Sequence, residues 1–202
     1  MVRRRTHGKI DMKSLKGTQT ERNLLVSFAG ESQARNRYTF FASQAKKDGY
    51  VLVQAVFEEI ANQEKEHAKK MFKWLEGSTV EITASVPAGV IGDTAANLRA
   101  AAGGEHEEWS EAYPAVADKA DEEGCPEIAA MYRMIAVAEK YHEERFRRLL
   151  ERVEGGTMFK NGTPVMWRCR NCGFVTEAPE APEKCPACAH PRDYFERLAE
   201  NF

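Results

Sequence analysis

Residues 56–77 read VFEEIANQEKEHAKKMFKWLEG. Within them Phe57, Ile60, Glu64, His67, Met71 and Trp74 recur at alternating steps of three and four. That spacing places all six on one face of a helix, the face that packs inward. A carboxylate and an imidazole therefore stand in the middle of a stripe built for burial.

Three more long helical patterns surround this one. The first runs from about Thr20 to Lys47 behind a capping box of Thr18 and Glu21. The stretch above is the second, ending near Gly77. A third starts from Asp93, a good N-cap, and runs to Glu123. The fourth begins with Pro126, suited to a first helical turn, and ends at Gly155 and Gly156. Tight turns at 48–50 and 123–126 make two antiparallel hairpins. Residues 78–92 lack periodicity and suit a crossover along a four-helix bundle.

The two hairpins repeat one another. Gly49 precedes Glu64 by 15 residues, and Gly124 precedes Glu139 by 15; each Glu opens a Glu-x-x-His, with His67 and His142. Upstream, Glu31 precedes Gly49 by 18 residues, whereas Glu105 precedes Gly124 by 19. The surplus already lies between Glu105 and Tyr113, eight apart against seven for Glu31 and Tyr38. One extra residue in a helix predicts a π-bulge there, a device frequent at functional sites.

Each of these acids sits on its own apolar stripe. The stripes are Leu24, Phe28, Glu31, Ala34, Tyr38 in the first helix and Leu98, Ala101, Glu105, Glu108, Ala112 in the third. The fourth carries Ile128, Tyr132, Ile135, Glu139, His142, Phe146, Leu149. Glu31, Glu64, Glu105, Glu108 and Glu139 thus converge on one core with no Lys or Arg among them. Unpaired buried carboxylates are too costly to keep, so protons or cations must join them. Two divalent ions supply +4 against the −5 of the five acids. Oxygen-rich sites with one imidazole per metal suit iron or manganese, and a Glu from each of two helices plus Glu-x-x-His from each of two others is the di-iron bundle pattern. Glu108 has Ala34 as its first-half counterpart, so it is a spare carboxylate. Ferric iron favours carboxylate oxygen and ferrous iron tolerates imidazole better. One iron is therefore expected to exchange Glu108 when oxidised for His67 when reduced; a fixed ligand or a hydrogen-bond acceptor is the alternative. Glu66, Glu107, Glu143, Glu144 and His106 fall off the stripes and are expected to be solvated. Cys125, at a turn, is expected to pack.

The whole chain has 202 residues, 30% of them charged, with a net charge of −2. That balance excludes a general nucleic-acid or membrane-surface role. No apolar run is long enough to span a bilayer, and the basic start has no apolar segment after it, which places the expected location in the cytoplasm. The expected division is a flexible extension at 1–11, a helical bundle at 12–156, and a linker with a small module at 157–202. Four of the five cysteines lie in that module as two Cys-x-x-Cys knuckles, Cys169 with Cys172 and Cys185 with Cys188. Two knuckles build a tetrahedral metal site, for zinc or for a mononuclear iron. Trp167, Phe174, Tyr194 and Phe195 can cap it. Beside a di-iron bundle, a one-electron iron makes the better sense.

Taken together, GESQARNRY at 30–38, the two Glu-x-x-His pairs, GEHEEW at 104–109, and WRCRNCGFV at 167–175 through CPACAHP at 185–191 resemble rubrerythrin. The resemblance covers nearly the whole chain from Met12. It implies a mainly α, ferritin-like four-helix bundle with a non-haem di-iron site and a C-terminal rubredoxin-like domain. It further implies reduction of hydrogen peroxide to water and a homodimer or larger oligomer. Electrons would pass through the four-cysteine iron to the di-iron site of a head-to-tail partner. Tyr38 and Tyr113 would hydrogen-bond ligand carboxylates, against a plain core role as the alternative. No Gly-x-Gly-x-x-Gly follows a strand, so electrons are expected from a separate rubredoxin or flavin-type reductase. The rival function is a ferroxidase or iron-storage protein, which needs no built-in relay; a redox sensor without turnover is a third.

Overall fold

The computed structural model describes residues 14–199, so the expected extension at 1–11 lies outside the described residues. Helix α1 spans Gln19–Lys47, α2 Val51–Phe72, α3 Thr94–Glu107, α4 Tyr113–Glu122 and α5 Pro126–Glu154. Between α3 and α4 runs a π-helical turn, Glu108–Ala112, where the Tyr113 N–H reaches the Glu108 carbonyl five residues back. The predicted surplus residue is absorbed there. The wide turn also corrects the third stripe: it rotates the chain, leaving Ala112 exposed and Tyr113 buried. Helix α2 stops at Phe72, about a turn earlier than expected; Trp74, just beyond its end, still packs against the apolar core and donates its indole N–H to the Met131 sulfur at 3.2 Å.

Capping chemistry ties the two hairpins to each other. The Thr18 side chain accepts from the Glu21 N–H, while the Glu21 carboxylate reaches back to the Gly17 N–H. The Glu123 carboxylate accepts from Thr20 N and Oγ1 at 2.8 and 2.6 Å; the Asp48 carboxylate accepts from Thr94 N and Oγ1 at 2.9 and 2.7 Å. Each acid precedes its hairpin glycine and secures the first turn of the other hairpin, where backbone N–H groups are otherwise unpaired. Gly49 and Gly124 adopt φ of +85° and +81°, the left-handed region that ends a helix without strain only for glycine.

Two apolar clusters fill the bundle. One gathers Tyr38, Phe41, Phe57, Ile60, Leu98 and Phe146; the other gathers Leu24, Met71, Tyr113, Ile128, Tyr132 and Ile135. On α1, α2 and α5 the acidic residues lie in sequence between the members of the two clusters. The polar site is therefore a slab sandwiched between two hydrophobic cores.

The C-terminal module is an antiparallel three-stranded sheet of order β2-β1-β3, with β1 Lys160–Cys169, β2 Val175–Glu180 and β3 Phe195–Arg197. Trp167 and Phe195 are fully buried, and Phe174 and Tyr194 pack beside them. The chain enters β1 at Lys160, so the connection after α5 is short. Phe159 packs against both the bundle core and the module core, and its ring stacks on Tyr50 with centroids 6.2 Å apart. The module rests on the α1–α2 turn, where a Cβ on Gly49 would meet the Asp193 carboxylate at 3.2 Å. No described helix is long and apolar enough to cross a membrane.

Candidate metal centres

Four helices bring the predicted residues to one place. Glu31, Glu64, His67 and Glu139 form one group with ligand atoms within 4.8 Å of one another; Glu64, Glu105, Glu139 and His142 form a second. Glu64 and Glu139 belong to both, so the groups share two carboxylates, as two adjacent cations require. Glu31, Glu64, Glu105 and Glu139 are each at most 1% exposed. His67 Nδ1 lies 2.8 Å from Glu139 and 3.0 Å from Glu64; His142 Nδ1 lies 2.8 Å from Glu139 and 3.0 Å from Glu64. Both imidazoles thus turn the same nitrogen inward.

These atoms are short of partners. Glu31 Oε2, Glu64 Oε1, Glu105 Oε2, both Glu139 oxygens and His142 Nδ1 are buried without an aligned hydrogen bond. Such a concentration of orphaned acceptors does not survive in a core without cations or protons to join it. The protonation equilibria carry the same demand. Burial, reinforced by the charges of Glu64 and Glu139, pushes Glu31 well above the usual carboxylate range. Burial raises Glu105 to about 8. Burial also opposes ionisation of Glu64, but the close approach of the His142 and His67 imidazoles outweighs it and brings that carboxyl to about 2. Burial opposes charge on His142, yet Glu105, Glu139 and Glu64 raise it to about 12. Without metal the cluster collects protons in place of cations. Four acids and two imidazoles, one imidazole to each group, make an oxygen-rich donor set that fits iron.

Tyr38 donates to Glu105, and Tyr113 donates to Glu31 at 2.5 Å. Each tyrosine of one hairpin holds a carboxylate of the other, a crossing that sequence spacing does not show. Burial raises both phenols well above their ordinary value, so they remain donors. Glu108 stands outside both four-residue groups. It is half-buried, and burial followed by the charges of Glu31 and Glu105 raises its carboxyl well above the ordinary range. It lines a cavity of about 200 Å³ between α1 and the π turn, with Ala34, Tyr38 and Tyr113. His67 borders a different opening, a groove of about 620 Å³ between α2 and α5 lined by Trp74, Met131 and Met134.

Two residues were missed in the sequence. Gln63 Oε1 lies 2.9 Å from His142 Nε2 and fixes that ring with Nδ1 inward. Glu143, expected to be solvated, is 7% exposed and accepts hydrogen bonds from α5 and from the π turn. Its partners His106 and Trp109 are far away in the chain, so periodicity within α5 carries no trace of them. Cys125 is buried, as expected of a packing residue.

In the module, Cys169, Cys172, Cys185 and Cys188 place their sulfurs within 4.8 Å of one another. The Cys169–Cys188 and Cys172–Cys185 sulfurs are 3.7 Å apart, too far for disulfides and right for a shared metal. The knuckles mirror each other: Gly173 N bonds Cys169 O, and Ala189 N bonds Cys185 O, both at 2.9 Å. Gly173 and Ala189 both take left-handed φ, +77° and +61°. The His190 N–H, with the Cys172 and Cys185 side chains, holds the Cys188 thiol down at about 6, in its metal-binding thiolate form.

The fold and the two sites define a di-iron carboxylate protein of the four-helix-bundle class, joined to a four-cysteine metal module. The family model for rubrerythrin matches residues 22–150, and the model for the rubrerythrin rubredoxin-like domain matches residues 167–196. The chain belongs to the rubrerythrin family. It is 58% identical to a rubrerythrin of Porphyromonas gingivalis over 190 residues, 94% of this chain and 95% of that one. It is 56% identical to a rubrerythrin of Nitratidesulfovibrio vulgaris, over 95% of this chain and all of that one. Among solved structures, fully reduced, all-ferrous nigerythrin superposes with a TM-score of 0.60 at 29% identity, covering 94% of this chain and 91% of that one.

Proposed function

We propose that this protein is a peroxidase that reduces hydrogen peroxide to water, with the four-cysteine iron returning electrons to the di-iron site. The observation that supports this most is the presence of both sites in one chain: a paired-metal pocket, and a thiolate site that a storage protein does not need. Reduction consumes two electrons and two protons per peroxide and yields two waters. Held by these residues, a pair of ferrous ions would supply both electrons together, which would avoid the one-electron step that releases hydroxyl radical.

The protein's residues hold and adjust that pair. Glu64 and Glu139, common to both groups, would hold both ions; Glu31 and Glu105, each held by a tyrosine, would each hold one, and His142, fastened by Gln63, would hold the second. The ring of His67 has an open groove at its outer edge, and Glu108 has a cavity beside it, so both have room to move. We assign Glu108 to the oxidised state and His67 to the reduced state of one iron. Without metal, burial and the charges of the surrounding acids favour the neutral form of the Glu108 carboxyl. The cysteine module meets the bundle through Asp193 at Gly49, which is fifteen residues from Glu64, or about 22 Å along α2. That length favours a relay to the di-iron site of a second copy in a head-to-tail dimer, with a separate rubredoxin or flavin-type reductase as donor.

The test is anaerobic. Reduced protein mixed with one equivalent of peroxide should oxidise its di-iron site in a single turnover and release no hydroxyl radical. With a reductase it should consume peroxide catalytically. Accumulation of a ferric mineral with little catalytic peroxide loss would replace this reading with ferroxidase storage.

A further inference from the structure

His106, Trp109 and Glu143 each stand one residue after an inward-facing group: Glu105, Glu108 and His142. On the outer side of the bundle they meet. Glu143 Oε2 accepts from the Trp109 indole N–H at 2.5 Å and lies 3.1 Å from His106 Nδ1. Glu143 Oε1 accepts from Arg147 Nε at 2.5 Å. The edge of His106 meets the Trp109 ring at 5.3 Å and 88°, and Lys140 Nζ sits 5.2 Å from the Trp109 ring centre. A buried carboxylate with charged and neutral donors is a strong, directional fastening.

The duplication supplies a comparison within the same chain. The first-half counterparts of His106, Trp109 and Glu143 are Ser32, Arg35 and Ala68. Those three make no such cluster; they line an open groove of about 340 Å³. Helix α1 there is α-helical throughout, whereas the second half carries the π turn, in which Trp109 is the second residue. The fastening occurs on the hairpin that has the wide turn and is missing from the one that does not. A π turn is less stable than α-helix, and it can shift along the chain by one residue. Such a shift would rotate Glu108 by about 100° around the helix axis, from the metal side to another face.

We propose that Glu143 is a positioning residue: it fastens the π turn to α5 and thereby sets where Glu108 sits relative to the two irons. The second half of this statement rests on Glu108 being the redox-dependent ligand. The first half does not, and the two are separable by experiment. In metal-free protein, hydrogen exchange at the amides of residues 109–113 should be at least tenfold faster in Glu143→Leu than in the parent, with α1 and α2 unchanged. Glu143→Gln keeps an oxygen for the indole and should fall between them. If Glu143→Leu does not fold, Trp109→Phe removes one donor and should accelerate the same amides. In iron-loaded protein, Glu143→Leu should raise the midpoint potential of the di-iron site, because the ferric state loses its carboxylate, and leave the potential of the four-cysteine iron in place. Unchanged exchange in both Glu143→Leu and Trp109→Phe overturns the proposal. Faster exchange with an unmoved di-iron potential keeps the fastening and overturns Glu108 as the redox-dependent ligand.

Discussion

Stripping the metals should reverse the pH dependence of the bundle's stability. Glu105 titrates at about 8 in the metal-free fold against an ordinary 4.5, chiefly because it is buried. Between those values the folded chain holds a proton that the unfolded chain has released. The stability tied to that proton is fully present below about pH 4.5 and is lost as pH rises through 8. Glu31 and Glu108 shift in the same direction, again led by burial. His142, raised to about 12, adds a loss that begins above its ordinary 6.5. Glu64 runs the other way, but its window lies between about 2 and 4.5 and does not touch neutral pH. Each excess proton corresponds to about 1.4 kcal/mol per pH unit. One such proton removes about 2.7 kcal/mol between pH 6 and 8. For a chain of this size that is a fall in Tm of about 5–10 °C. In the loaded protein the metals keep the acids ionised, protons compete with metal, and stability should rise over the same interval. Thermal unfolding of both forms, followed by the helical circular dichroism that the bundle supplies, measures the two slopes. A metal-free Tm that is flat or rising from pH 6 to 8 would refute the assignment of the cluster as a proton-collecting, vacated cation site.

Three further outcomes are expected. Cys172→Ser should lose steady-state turnover with a reductase yet keep single-turnover oxidation by peroxide; undiminished steady-state activity would remove the relay. Crystal structures of oxidised and dithionite-reduced protein should show one iron bound to Glu108 and then to His67, and Glu108→Ala should clearly lower turnover; identical ligands in both states would end the exchange. Tyr113→Phe leaves a buried Glu31 oxygen without its donor and should destabilise the protein by about 1–3 kcal/mol in chemical denaturation, whereas a cost near zero would make the phenol a mere core filler.

Much of the centre was legible in the chain because an α-helix writes its buried face into sequence spacing. The steps of three and four through Glu64 and His67, repeated through Glu139 and His142, could only place acids and imidazoles inside a core. The surplus residue between Glu105 and Tyr113 had to widen a turn, and it did so at Glu108–Ala112. The Cys-x-x-Cys knuckles likewise carry their geometry locally. Spacing failed where it assumed an unbroken helix: Ala112 left the stripe because the π turn rotated everything after it.

Relations between helices were decided only by the tertiary structure. Glu64 and Glu139 are the shared acids, Tyr38 and Tyr113 bond across to the opposite hairpin, and Gln63 fixes His142. Glu143 looked like a solvated residue on α5 until the π turn was packed against it. The four-cysteine module sits at the α1–α2 turn, held by the stacking of Phe159 on Tyr50. A residue's face on its own helix follows from a local period, but the partner it meets depends on the crossing and offset of segments 34 to 109 residues apart. No local pattern encodes that offset; the packing of the two apolar clusters sets it, and the metal-site atoms are brought to their places with it.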